Sequence, residues 1–127
     1  MTDQSVTILD VLAAGEHPRL SLSAGDKLFL KGETADCMYV VNSGMIEVLM
    51  YGRVLERVGP GGIVGEMALI DGNARCAAAL TETATELIAI GRDEFLTLVR
   101  AEPTIALAVL KTLARRLRHI TTTRGPA

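Results

Sequence analysis

The chain has 127 residues, 49% of them hydrophobic and only 3% aromatic, with no Trp. This is the length of one domain, 1–127, with an aliphatic core, and the composition excludes a polar disordered chain. The formal net charge is -2, two cysteines are too few for a disulfide framework or a zinc site, and no apolar run reaches the roughly 20 residues of a membrane span.

Residues 6–14 have the apolar spacing of a helix, with Ser5 placed to cap it. After Pro18 short apolar segments alternate with turns at Gly25, Gly32, Gly44, Gly52 and Gly59. Residues 27–30, 38–41, 46–50, 54–58, 77–80 and 86–90 read as strands. Asn42-Ser43-Gly44 and Tyr51-Gly52 read as hairpin turns. Short strands at near-regular spacing predict an antiparallel β-roll or jelly roll over about 19–91. The run Gly59-Pro60-Gly61-Gly62 is a turn, followed by the brief extended pair Ile63-Val64. One or two helical turns are then expected over 65–70, before Asp71-Gly72. A short helix among barrel strands marks a site.

From Arg92 the texture is helical again, with Asp93 capping a helix to about 100. A second helix is predicted over 104–121, with Pro103 at its start, where a missing N–H is harmless. The fold class is therefore mainly β with flanking helices: an antiparallel roll, an N-terminal helix, a short phosphate-binding helix and two C-terminal helices over about 92–122. From Pro103 onward there are five basic residues and no acid, against eight basic and fifteen acidic groups before it. These cations read as a helix end complementing its macrodipole rather than a nucleic-acid footprint. His17 and His119 read as solvated.

The chemistry lies in Gly65-Glu66-Met67-Ala68-Leu69-Ile70 and in Arg75-Cys76-Ala77. Glycine before a short helix leaves backbone N–H groups free for an anion. The planar fork of Arg75 suits phosphate oxygens. Glu66 repels an anion but accepts a hydrogen bond from a hydroxyl, as acids do beside phosphate in dinucleotide sites. The bland alternative is an ion pair between Glu66 and Arg75. Cys76 reads as a small buried hydrophobe rather than a reactive thiol.

This segment resembles the phosphate-binding cassette of cyclic-nucleotide-binding domains, the family of the protein kinase A regulatory subunit, the catabolite activator protein and cyclic-nucleotide-gated channels. The likeness runs over about 20–120 and includes the Gly25 turn, Lys31-Gly32-Glu33 and Tyr39-Val40-Val41-Asn42-Ser43-Gly44. It implies that Glu66 accepts from the ribose 2′-hydroxyl and that Arg75 pairs with a phosphate oxygen. It also implies that the N–H groups of Ala68 and Cys76 complete the cradle, and that Gly65 permits close approach. Met67, Ala77 and Val64 belong to the same ligand-binding stretch, and Val48 and Ile63 are expected near the base. The last helix is expected to close as a lid, with Arg115, Arg116 or Arg118 stacking on the purine.

The sequence departs from the pattern at Val64, where an aromatic is common, at Ala74, where proline is common, and at Cys76. Thr at the position of Cys76 goes with cGMP in the family, and a thiol is a weak donor, so cAMP is the expected ligand and cGMP the second choice. No metal or other cofactor is expected. A metal enzyme on a β-roll lacks its ligands, since no His-x-His pair exists. The expectation is a cytoplasmic regulatory binding module, not an enzyme.

In the last helix Ala106, Leu110, Leu113, Leu117 and Ile120 are spaced as an a/d seam. This predicts packing on the roll, a homodimer through residues 104–121, or both. Only residues 121–127 follow, leaving no visible DNA-binding domain. An effector protein is the implied partner. The alternative is a dimerising sensor fragment of a catabolite-activator-like regulator.

Overall fold

The computed structural model describes residues 8–13 and 15–124. Ser5, Val6 and Ala14 of the expected first helix lie outside the described residues. In chain order the elements are α1 (Ile8–Ala13), β1 (Arg19–Leu22), β2 (Lys27–Phe29), β3 (Cys37–Ser43), β4 (Ile46–Met50), β5 (Arg53–Val58) and β6 (Ile63–Val64). They continue with α2 (Glu66–Asp71), β7 (Ala78–Thr81), β8 (Thr85–Gly91), α3 (Arg92–Ala101) and α4 (Thr104–Arg124).

The strands form two four-stranded antiparallel sheets, ordered β1-β8-β3-β6 and β2-β7-β4-β5. This is the jelly roll with flanking helices that the strand spacing predicts. Strand β1 was not expected. Its Arg-Leu-Ser-Leu is too short to declare a period, and it forms because Arg19 to Leu22 pair with Ile88 to Thr85 of β8. The turn between β4 and β5 has positive φ at both Tyr51 (53°) and Gly52 (75°), the geometry of a two-residue hairpin that follows the strands' own twist.

Alternation along β3 divides the core in two. Met38 and Val40 face the helices with Ile8, Leu12, Ile63, Leu69, Ile88, Ile90, Ile105 and Val109. Val41 faces the inside of the roll with Phe29, Ile46, Val58, Val64, Ala79 and Leu87. Burial on both faces of one strand ties the helices to the roll, since side chains alternate across a sheet.

The single seam expected on α4 is divided. Ile105, Val109 and Thr112 are buried, and Leu113 packs against the same core. Leu110 and Leu117 point away, 60% and 66% exposed, together with Leu107 at 50%. The side chain of Ile120 lies outside those described. A 3.5 period puts residues 110, 113 and 117 on one seam, but residue 113 turns toward the core while 110 and 117 do not. His17 is not solvated: its ring is mostly buried and its Nδ1 pairs with the Glu94 carboxylate of α3.

Candidate functional site

Gly65 opens α2 in the left-handed region, at φ 78° and ψ 14°. A side chain is excluded there twice over. The backbone conformation is strained for any L residue, and a Cβ would stand 2.3 Å from Nη1 of Arg75. The space Gly65 vacates is filled by that guanidinium. Arg75 donates from Nη1 to the Gly65 carbonyl at 2.8 Å and from Nη2 to the Cys37 carbonyl at 2.9 Å. Its Cζ lies 4.2 Å from the Phe29 ring centroid and 5.8 Å from that of Tyr39. The backbone of Arg75 is held as well, donating to Glu33 and accepting from Gly32 in the turn after β2.

The cation is therefore immobilised and only 6% exposed, while two of its five N–H donors satisfy carbonyls. Nη2 also donates to the Cys37 Sγ at 3.9 Å. Burial, then the hydrogen bond and charge at Cys37, pushes the Tyr39 hydroxyl up to about 12. It stays a neutral wall for Arg75 across the physiological range.

Glu66 is 2% exposed, so its carboxylate needs a partner. That partner is not Arg75 but Arg116 of α4, whose Nη1 contacts Glu66 Oε1. The same guanidinium donates from Nε to Glu56 Oε1 of β5 at 2.6 Å and from Nη2 to the Ile63 carbonyl at 2.7 Å. Burial alone draws the Arg116 pKa down. The charges and hydrogen bonds of Glu66 and Glu56 outweigh it and hold the guanidinium above its ordinary value. Arg115 adds a looser contact, Nη2 to Glu56 Oε2 at 3.4 Å. The basic tail thus has a specific task, since two of its arginines cross to carboxylates of the roll. The far end of α2 is fastened too, by Arg92 of α3 donating to the Leu69 carbonyl at 2.7 Å.

Between the roll and α4 lies a cavity of about 380 Å³. Its size is in the range of small-molecule sites. Gly65, Glu66, Met67, Ala68, Val64 and Val48 line it, as do Arg75, Cys76 and Ala77. From α4 come Arg115 and Arg116, while Arg118 is exposed and lies outside the wall. Ile63 is corrected. Adjacent strand residues face opposite ways, so Val64 enters the cavity while the Ile63 side chain is buried under the helices, leaving only its carbonyl on this side.

Phe29, Met50, Leu55, Glu56 and His119 also line the cavity and were not foreseen. Met50 was open to inference, two residues from Val48 on one strand. Glu56 is the cross-strand partner of Val48, but only because of a bulge between Val48 and Leu49. Three arginines and two glutamates in the wall leave these five side chains a formal charge of plus one. Among the described residues no group of three His, Cys, Asp or Glu side chains is placed to hold a metal ion, and no helix is long and apolar enough to cross a membrane.

The profile of the cyclic nucleotide-binding domain matches residues 19–102. The chain is 35% identical over 113 residues to the cyclic AMP receptor protein of Thermus thermophilus, covering 85% of this chain and 52% of that one. It superimposes on the crystal structure of the Thermus thermophilus catabolite activator protein with a TM-score of 0.73 at 35% identity, covering 82% of this chain and 51% of the other. On a c-di-GMP-responsive global regulator of Xanthomonas campestris the TM-score is 0.77 at 27% identity, covering 91% and 60%. The chain spans about half the length of the Thermus thermophilus receptor protein and of a CRP-like cAMP-activated global transcriptional regulator of Mycobacterium tuberculosis, 52% and 45%, and less than a fifth of some longer relatives.

Proposed function

The chain belongs to the cyclic nucleotide-binding domain family, and we propose that it binds cAMP between the roll and α4 and passes the event on through α4. The observation that carries this reading is the pairing, in one apolar cavity, of a buried arginine and a buried glutamate tied to α4. A cyclic phosphodiester carries one negative charge, which the wall's single excess cation offsets. Its phosphate fits against Arg75, with the N–H groups of Ala68 and Cys76 as further donors. The ribose hydroxyl is accepted by Glu66, and the base lies among Val48, Met50, Leu55 and Met67.

Cys76 is exposed rather than buried, and it lines the cavity next to Arg75. A thiol there makes a weak partner for a guanine amino group, which favours cAMP over cGMP. Calorimetric titration with cAMP, cGMP, c-di-GMP and 5′-AMP tests the reading. Binding of cAMP in the micromolar range or tighter, and tighter than 5′-AMP by at least tenfold, supports it. No heat with any cyclic nucleotide overturns it.

A second reading, the sensor half of a dimeric regulator, is favoured by the outer face of α4. Leu107, Leu110, Ala114 and Leu117 are exposed at three-four-three spacing, opposite the buried Ile105, Val109 and Thr112. Such a stripe suits the equivalent helix of a second copy. Sedimentation of the protein and of Leu110→Glu/Leu117→Glu tests it. A dimer that the double substitution converts to monomer supports it, and a monomer at 100 μM does not.

A further inference from the structure

Glu56 enters no motif in the sequence, yet its carboxylate takes one edge of Arg116, the arginine that also contacts Glu66. An arginine and a carboxylate left to themselves favour a bidentate pair, two parallel N–H···O bonds that use both carboxylate oxygens. That is not the arrangement here. Among the described residues Arg116 reaches Glu66 through one contact, Nη1 to Oε1. Its Nε edge is turned to Glu56 Oε1 at 2.6 Å and its Nη2 to the Ile63 carbonyl at 2.7 Å.

The guanidinium is planar, so three partners on three edges fix both its position and its tilt. Of the three, the Ile63 carbonyl belongs to β6 and Glu66 to α2. Among the described residues Glu56 is the one side-chain acceptor that competes with Glu66 for the cation. Its carboxylate is held in turn by Arg115, Nη2 to Oε2 at 3.4 Å, and its place opposite Val48 in the β4–β5 hairpin is set by backbone pairing.

We infer that Glu56 is a positioning residue for the nucleotide's ribose: by claiming the Nε edge of Arg116 it keeps the Arg116–Glu66 contact monodentate and leaves the second oxygen of Glu66 to accept the 2′-hydroxyl. This rests on the reading of the cavity as a cyclic-nucleotide site. Without an acceptor at position 56, Arg116 turns its Nε–Nη edge onto both oxygens of Glu66. The hydroxyl then has to break a charge-assisted pair to be received. A glutamine at 56 keeps an acceptor for Nε and with it the geometry.

The test compares cAMP with 2′-deoxy-cAMP by calorimetry in the wild type, Glu56→Ala and Glu56→Gln, after thermal melts show that all three are folded. The wild type prefers cAMP over the deoxy ligand. In Glu56→Ala that preference falls by about 3- to 10-fold, the range of a hydrogen bond weakened or lost. Affinity for the deoxy ligand changes less than twofold, and Glu56→Gln retains most of the wild-type preference. A role confined to fastening α4 weakens both ligands alike and leaves the ratio unmoved, which overturns the inference. So does a glutamine variant that falls as far as the alanine. Failure of the underlying reading is distinct, because it shows in the wild type as no binding of either ligand or no preference between them.

Discussion

Gly65 and Arg75 occupy one another's space: the carbonyl of Gly65 takes the Arg75 Nη1 donor at 2.8 Å, and a Cβ on Gly65 would lie 2.3 Å from that same nitrogen. The obstruction extends beyond the guanidinium, because the Cβ would also approach the Phe29 ring at 3.3 Å. Gly65→Ala is therefore expected to expel the guanidinium from its pocket as well as to strain the left-handed backbone, which alone costs about 1–2 kcal/mol. Affinity for cAMP should fall at least 30-fold with a lower Tm. An alanine variant that binds normally would separate Gly65 from the site.

Arg75→Ala is expected to weaken cAMP by roughly 30-fold or more, the penalty for deleting one side of a desolvated charge pair. The fold is not indifferent to this change. The carbonyls of Gly65 and Cys37 lose their donor, at about 1–3 kcal/mol for each that stays buried and unpaired. Binding and a thermal melt should be measured together. Arg75→Lys is expected to restore part of the stability but little of the binding, since an ammonium has no fork to serve two carbonyls and a phosphate at once. Normal affinity in a folded Arg75→Ala protein would move the phosphate elsewhere.

The roll, the short helix, and Glu66 and Arg75 were legible because each rests on local signals: glycine turns, strand alternation and the spacing within one contiguous segment. What was not legible depends on pairing between distant segments. Strand β1 exists only against β8. Ile63 and Val64 were equally eligible for the cavity until β6 paired with β3 and fixed which one faced inward. Glu56 is the clearest case. A regular hairpin closed at Tyr51-Gly52 sets Leu55 opposite Val48, and the bulge replaces it with Glu56. The three arginines of the last helix could not be ranked from sequence, because the helix's rotation about its axis was unknown. Ile105 and Val109 packing on the core set that rotation and turn Arg116 inward and Arg118 outward.

Tyr39 gives the protein an alkaline weakness. Its hydroxyl is pushed up from 10 to about 12 in the folded state, by burial first and then by Cys37. A raised pKa favours the neutral form in the fold, so this stabilisation is complete below pH 10, the unfolded value, and is lost as the pH rises through about 12. Stability measured by urea unfolding should decline across this window in the wild type, and more steeply than in Tyr39→Phe, which has no hydroxyl to ionise. Parallel declines in the two proteins would remove Tyr39 as the cause.

The ligand response of α4 should be confined to its second half. Ile105, Val109 and Thr112 are buried against the body of the molecule, so the first two turns gain nothing further from a ligand. Beyond Leu113 the helix crosses the cavity, and the described contacts holding it include the ion pairs of Arg115 and Arg116 with Glu56 and Glu66. The Arg115–Glu56 pair is exposed at Arg115 and weakens with salt as the screening length shortens, to about 3 Å at 1 M, while the buried Arg116–Glu66 pair is screened less. Hydrogen exchange of the ligand-free protein should therefore quicken over residues 113–119 as salt is raised, while residues 105–112 change little. Saturating cAMP adds a base under this segment and a hydroxyl on Glu66, linking the helix to the roll by burial that salt does not screen. The same amides should then exchange more slowly, and their dependence on salt should flatten. A ligand shifts the helix only through a difference in affinity between its docked and undocked states. Protection over 113–119 that is the same with and without cAMP, at every salt concentration, would mean that no such difference exists and that α4 is a fixed wall of the site.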